Sequence, residues 1–222
     1  MSETAMKATA ASIFVELFDH YPALLACQEA IQQSFFILRD CYRNQGKVLI
    51  CGNGGSAADA EHIVGELMKG FMRKRPLPAA QRAHFRALFP NDGDALADHL
   101  QGALPAIALT GQIALSTAFL NDVAADMIFA QQVYGYARPG DVVLGISTSG
   151  NSTNVLNALK VGKAVGAQTI GLTGQSGGQM KAFCDVVIGV PATVVYQVQE
   201  YHLPVYHVLC RLLEEEFFGA HP

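Results

Sequence analysis

Two side chains suited to acid–base and metal chemistry stand four positions apart near the middle of the chain. His62 and Glu66 lie in a segment, residues 56–69, that predicts a helix, so the i, i+4 spacing puts both on one face. An imidazole beside a carboxylate suits proton transfer, and both groups are ordinary zinc ligands. A lone histidine on a mostly apolar helix is more often a core residue, and that alternative stays open for this pair.

A second pair lies near the carboxyl end of the chain. Gln199 and His207 fall in a predicted helix over residues 195–218, and their eight-residue separation is about 80° of rotation at 3.6 residues per turn. The two side chains therefore share one broad face. Pro204 stands between them and lacks an N–H group, so we expect a kink or an irregular helix start there.

Three loops rich in glycine and hydroxyl groups follow apolar segments: residues 52–56 (GNGGS), 147–152 (STSGNS) and 173–174 (TG). Hydroxyls and free N–H groups at a helix N-terminus suit an anion such as phosphate, and Ser56 is the predicted N-cap of its helix. A serine-rich turn without a ligand is the alternative. Neither the G-x-G-x-x-G fingerprint nor a GKS or GKT P-loop is present, so nucleoside triphosphate chemistry is not expected.

The segments that carry these residues alternate between short apolar strands and helices. Strands are predicted to begin near residues 47, 105, 142, 169 and 185, with helices over 56–69, 124–136, 152–165 and 195–218. This alternation is typical of a parallel sheet covered on both faces. The sequence predicts an α/β fold, a three-layer α/β/α sandwich around a five-stranded parallel sheet, with helices at its N-terminus.

A single domain over residues 1–222 is expected, with a helical segment at 1–46 and an insertion at 76–104. The insertion has little strand character. A functional lid and a solvated helical insertion without chemistry are both open for it.

The motifs CGNGGS, GISTSGNS and LTG, in this order on apolar strands, resemble the sugar isomerase (SIS) domain family over nearly the whole chain. The resemblance implies a flavodoxin-like fold that binds a phosphosugar. It implies that four hydroxyl residues hold the phosphate: Ser147, Thr148, Ser149 and Ser152. It also implies that residues of the first loop contact the sugar, namely Asn53, Gly54, Gly55 and Ser56, and that Asp122 matches an active-site aspartate.

With both pairs present, the chain resembles in particular the phosphoheptose isomerases of that family, which convert sedoheptulose 7-phosphate into D-glycero-D-manno-heptopyranose 7-phosphate. The resemblance implies an aldose–ketose isomerisation through an enediol, with Glu66 as base and His207 as acid. It also implies one Zn²⁺ per chain, bound by His62, Glu66, Gln199 and His207, with Gln199 contacting substrate as well. A zinc-bound group is less available for proton transfer, so a Lewis-acid and a structural role for the metal both stay open.

Two residues differ from the family pattern, and they bear on which phosphosugar the protein acts on. Tyr196 stands where members often carry Asp, and Gly70 where they often carry Arg. Other SIS isomerases, which act on amino sugars or arabinose phosphate, are one alternative. A non-catalytic phosphosugar-binding regulator, such as a protein that binds the replication initiator, is another, but it would not need Glu66 or His207.

Composition limits the partners. The net charge of −4 argues against a general affinity for nucleic acid or anionic membrane. No signal peptide or apolar run of about 18 residues is present, and the five scattered cysteines predict free thiols in the cytoplasm. With 50% hydrophobic and only 15% charged residues, we expect either a large core or a core together with an oligomer interface. The resemblance implies a homotetramer with sites at subunit interfaces.

Overall fold

A five-stranded parallel sheet forms the centre of the computed structural model, which describes residues 8–219. The strand order is β2-β1-β3-β4-β5, so β2 lies on one side of β1, and β3, β4 and β5 follow on the other side. The predicted α/β fold class is confirmed. The strands are β1 Val48–Gly52, β2 Ala106–Ala108, β3 Val142–Ile146, β4 Gln168–Thr173 and β5 Val186–Gly189.

Nine α-helices of the described chain surround the sheet. They are α1 Ala8–His20, α2 Gln28–Arg43, α3 Gly55–Met68, α4 Ala79–Leu88, α5 Gly93–His99, α6 Ile113–Asp122, α7 Ile128–Tyr136, α8 Thr153–Ala164 and α9 Val195–Phe218. Short 3-10 turns precede α2 and α7 and follow β4.

The core is divided by the sheet, because successive residues of a strand point to opposite faces. Val48 and Ile50 of β1 pack into the layer that contains α1, α2, α3 and α9. Leu49 and Cys51 of the same strand pack into the layer that contains α7 and α8. Burial on both faces explains why the strands read as continuous apolar runs.

Three local predictions were wrong. Helix α3 begins at Gly55 with Gly54 as its N-cap, so Ser56 lies inside the first turn and does not cap it. Pro204 does not mark the start of α9, since the helix already begins nine residues earlier. The sequence also missed α6, because its exposed apolar residues do not form a one-sided pattern.

The segment predicted as an insertion forms two helices, α4 and α5, that pack on each other. Pro76 and Gln101 form a β-bridge at its base, and ion pairs join Arg82 to Asp98 and Arg86 to Asp94 across the helices. The segment is therefore helical, which is compatible with both a lid and an insertion without chemistry. No helix among residues 8–219 has the length and apolarity needed to span a membrane.

Candidate functional site

Hydroxyl groups gather where β3 ends and α8 begins. The Ser147 hydroxyl lies 2.9 Å from that of Ser152 and 3.5 Å from that of Ser149, which also accepts the Asn151 N–H. Gly150 has a positive φ of 68°, and a methyl group on it would collide with the backbone of Gly177. The N-terminus of α8 faces this loop, a favourable arrangement for an anion.

Side chains and backbone groups join the three predicted loops. Asn53 and Asn154 exchange two amide hydrogen bonds of 2.9 Å, which connect the loop after β1 to the start of α8. The Gly174 N–H donates to the Thr148 carbonyl at 3.0 Å, which connects the loops after β3 and β4. The loops at the carboxyl ends of β1, β3 and β4 thus lie together at one edge of the sheet, where ligands bind in open α/β folds.

The predicted acid–base residues meet where α3 packs on α9. The Nε2 atom of His62 lies 3.3 Å from a Glu66 carboxylate oxygen, and its Nδ1 atom lies 3.0 Å from the Tyr206 hydroxyl. The Glu66 side chain is 12% exposed, and its second oxygen has no hydrogen-bond partner within residues 8–219. A nearly buried carboxylate with a free oxygen can accept a proton from a bound substrate.

His207 completes this group from α9. Its ring centre lies 5.1 Å from that of His62 and 5.3 Å from that of Phe71, and its Nε2 atom is buried without a partner in the described structure. Burial lowers the pKa of His207 and the neighbouring His62 lowers it further, while Glu66 opposes the shift. The imidazole is therefore neutral near pH 7, with a ring nitrogen available to a ligand.

Gln199 lies apart from that group. Its carboxamide rests against the backbone of Gly55, where a methyl group would collide with it. Gly55 and His62 are seven residues apart on α3, or about 10 Å along the helix. The structure therefore brings three of the four predicted metal ligands together and leaves Gln199 beside the glycine-rich loop.

No three His, Cys, Asp or Glu side chains of residues 8–219 are arranged as a ready metal site. Asp122 lies exposed at the end of α6, which packs on α7, and its carboxylate accepts a hydrogen bond from Asn121. The structure gives it no contact with His62, Glu66 or His207. Tyr196 is likewise exposed, at the start of α9.

Sequence reasoning missed the residues that hold His62 in place. The Tyr206 hydroxyl bonds both His62 and Asp59. Burial raises the pKa of Asp59, although Tyr206 and His62 oppose that shift. Burial, followed by the charge of Asp59, raises the pKa of Tyr206. The available signal was spacing, because Asp59 precedes His62 by one helical turn and Tyr206 adjoins His207.

Comparison with known proteins shows the family to which the chain belongs. Residues 24–94 and 86–174 match the SIS domain model. The chain is 40% identical over 200 residues to the phosphoheptose isomerase of a Nitratiruptor species, covering 90% of this chain and 87% of that protein. It is 39% identical over 207 residues to the phosphoheptose isomerase of Rhodospirillum rubrum, covering 93% of each.

A solved structure is similar over almost the same length. The phosphoheptose isomerase of Neisseria gonorrhoeae superposes with a TM-score of 0.71 at 32% identity, covering 92% of this chain and 96% of that one.

Proposed function

Because the chain belongs to the phosphoheptose isomerase family of SIS-domain proteins, we propose that it converts sedoheptulose 7-phosphate into D-glycero-D-manno-heptopyranose 7-phosphate. The observation that carries this proposal is the grouping of Glu66 and His207 around His62, where α3 packs on α9, in a chain that also clusters hydroxyls at the end of β3. A regulator that only binds phosphosugars would need the hydroxyls but not the acid–base pair. Turnover of sedoheptulose 7-phosphate by the purified protein tests the proposal, and no turnover would contradict it.

The reaction moves one proton between adjacent carbons. In the proposed mechanism the free oxygen of Glu66 removes a proton from C1 of the open-chain ketose, and the electron pair forms the enediol double bond. The neutral imidazole of His207 gives its N–H proton to the C2 oxygen as the carbonyl electron pair moves onto that oxygen. Return of the proton from Glu66 to C2, with transfer of the O1 proton to His207, gives the aldose, which then closes to the pyranose.

The phosphate is proposed to bind Ser147, Thr148, Ser149 and Ser152, with Asn53, Gly54, Gly55, Ser56 and Gln199 facing the sugar. The contact between Gln199 and Gly55 supports a place for Gln199 among the sugar-binding residues. Asp122 is proposed for this site as well, and its position at the end of α6 means that a neighbouring subunit would have to contribute it.

Loss of one phosphate-binding hydroxyl should weaken substrate binding more than it slows chemistry. We expect Ser149→Ala or Thr148→Ala to cost roughly 1.5–3 kcal/mol of binding free energy, because each removes a hydrogen bond to a charged group. Calorimetric titration with a phosphosugar measures this change. Ser12→Ala, which removes an exposed hydroxyl on α1, is the control and should bind like the wild type. Unchanged affinity in both loop variants would remove this loop from the site.

We also propose that the same pocket binds one Zn²⁺ per chain. His62, Glu66 and His207 fit the metal chemically, because they supply two imidazoles and a carboxylate, and one Glu66 oxygen and the His207 Nε2 atom have no hydrogen-bond partner within residues 8–219. Nδ1 of His62 forms a hydrogen bond with the Tyr206 hydroxyl, and a hydrogen bond of this kind orients an imidazole that binds a metal. Gln199 would join as fourth ligand after its carboxamide leaves Gly55. When bound, the ion would polarise the substrate oxygens.

Metal analysis tests this proposal independently of activity. The protein purified without chelators is expected to hold about one zinc per chain, and occupancy should fall below about pH 6 because histidine ligands must be neutral. His62→Ala should lose the metal, whereas His84→Ala, on the exposed surface of α4, should keep it. Stoichiometric absence of metal together with full activity after chelation would leave an acid–base pocket without zinc.

Self-association as a homotetramer is proposed for the chain. Helix α6 supports it, because none of its residues is buried and Ile113 is 73% exposed. Leu120 and Val123 are exposed as well, and a second copy would cover these apolar side chains. Light scattering is expected to give four times the monomer mass, and a monomer would contradict the proposal. The five free cysteines support a cytoplasmic location.

A further inference from the structure

A buried ion pair lies beyond the acid–base residues, between the end of α3 and the last turns of α9. The Nε atom of Arg75 donates to a Glu214 carboxylate oxygen at 2.9 Å, and the two side chains are 0% and 2% exposed. Neither residue touches the phosphate-binding loops. Both are adjacent in space to the elements that carry Glu66 and His207.

Glu214 holds a short backbone segment, residues 71–73, against α9; this segment is called the strap. Its two carboxylate oxygens accept the N–H groups of three consecutive residues, at 2.8 Å from Phe71, 2.7 Å from Met72 and 3.1 Å from Arg73. With Arg75, each oxygen receives two hydrogen bonds. The Phe71 ring at the start of this strap packs 5.3 Å from the His207 ring.

Arg75 fixes the end of α3. Its guanidinium donates to the Leu67 carbonyl at 2.8 Å and to the Glu66 carbonyl at 3.1 Å. These carbonyls belong to the last turn of α3 and lack partners within the helix. The planar fork of an arginine can reach both carbonyls and a carboxylate at once, whereas a lysine cannot.

The geometry points to Arg75 and Glu214 as positioning residues that set the separation between the proposed base and the proposed acid. Glu214 follows His207 by seven residues on α9, two turns along the same face, and Arg75 bonds the backbone of Glu66 itself. A buried ion pair is seldom retained for stability, since apolar residues of similar volume serve at least as well. Its specific effect here is a fixed distance between the two reacting side chains, on which proton transfer depends steeply.

This inference rests on the proposed function, so the wild-type protein is first assayed on sedoheptulose 7-phosphate. Glu214→Gln preserves the shape of the side chain but removes two of the four accepted hydrogen bonds and the charge opposite Arg75. We expect kcat to fall at least about tenfold, with KM within about twofold, because the phosphate loop is untouched. Glu215→Gln is the matched control on the next residue, whose carboxylate pairs with the half-exposed Arg73 and bonds no part of α3.

A calorimetric titration with the same phosphosugar counts the competent sites in each variant. Unchanged stoichiometry with a lowered kcat identifies a positioning role, because partial unfolding would lower the number of sites in proportion to kcat. Arg75→Lys keeps the charge opposite Glu214 but removes the planar guanidinium that bonds the Glu66 and Leu67 carbonyls. It is expected to behave like Glu214→Gln. It replaces that variant if the latter does not fold.

Retention of kcat within twofold in the folded variants would overturn the inference. So would a loss of binding sites that accounts for the whole loss of rate, or failure of both variants to fold, since the pair would then act on stability alone. Inactive wild-type protein would instead contradict the proposed function.

Discussion

Glu66→Gln is expected to reduce isomerisation by about 10²- to 10⁴-fold, the range that a positioned general base contributes. The carboxamide has nearly the same shape as the carboxylate but cannot take a proton from carbon. The fold should be unaffected, because one Glu66 oxygen has no hydrogen-bond partner within residues 8–219 and lies only 3.8 Å from the exposed Lys69 ammonium, while the other faces His62. Rate measurements under saturating substrate and a calorimetric titration together separate chemistry from binding.

Glu61→Gln supplies the matched control for that experiment. Glu61 lies on the same helix, is exposed, and accepts a hydrogen bond from Thr110 away from His207. Its amide variant should turn over substrate at the wild-type rate. If Glu66→Gln retained activity within a few-fold of wild type, Glu66 would not be the base.

Acid should destabilise the protein through His202, whose ring lies fully buried in α9. Burial lowers its pKa to about 4. An unfolded histidine titrates near pH 6.5, so between these values the unfolded state binds a proton that the folded state excludes. The free energy of unfolding should therefore fall by about 3 kcal/mol as the pH drops from 6.5 to 4 and should be insensitive to this residue above 6.5.

Urea unfolding at pH 7 and pH 4.5 measures that dependence. His202→Gln removes the titrating group and should flatten the pH dependence, whatever its effect on stability at pH 7. His84→Gln changes an exposed histidine on α4 and should keep the wild-type slope. Burial lowers the pKa of His207 too, so His207 also makes the free energy of unfolding fall in acid. The difference between the wild type and His202→Gln therefore gives the contribution of His202 alone. An unchanged slope in His202→Gln would show that other groups cause the acid sensitivity.

The sequence by itself determined the α/β class, the strand positions and the loops that end them. Strands buried on both faces must be continuously apolar, and a helix places residues four apart on one face, so both patterns can be recognised in a single sequence. The same local rules predicted that His62 and Glu66 would lie together. They erred at Ser56 and Pro204 because caps and kinks depend on where a helix begins, which shifts by a residue or more with tertiary packing.

Only the tertiary structure decided which of the distant residues meet. Gln199 and His207 share a helix, yet Gln199 packs on Gly55 at the start of α3 while His207 packs against His62, about 10 Å farther along α3. The Tyr206 contact to His62 and the burial of Arg75 against Glu214 join residues more than 130 positions apart. No local periodicity records such contacts, since they follow from how α3 and α9 pack against each other on one face of the sheet.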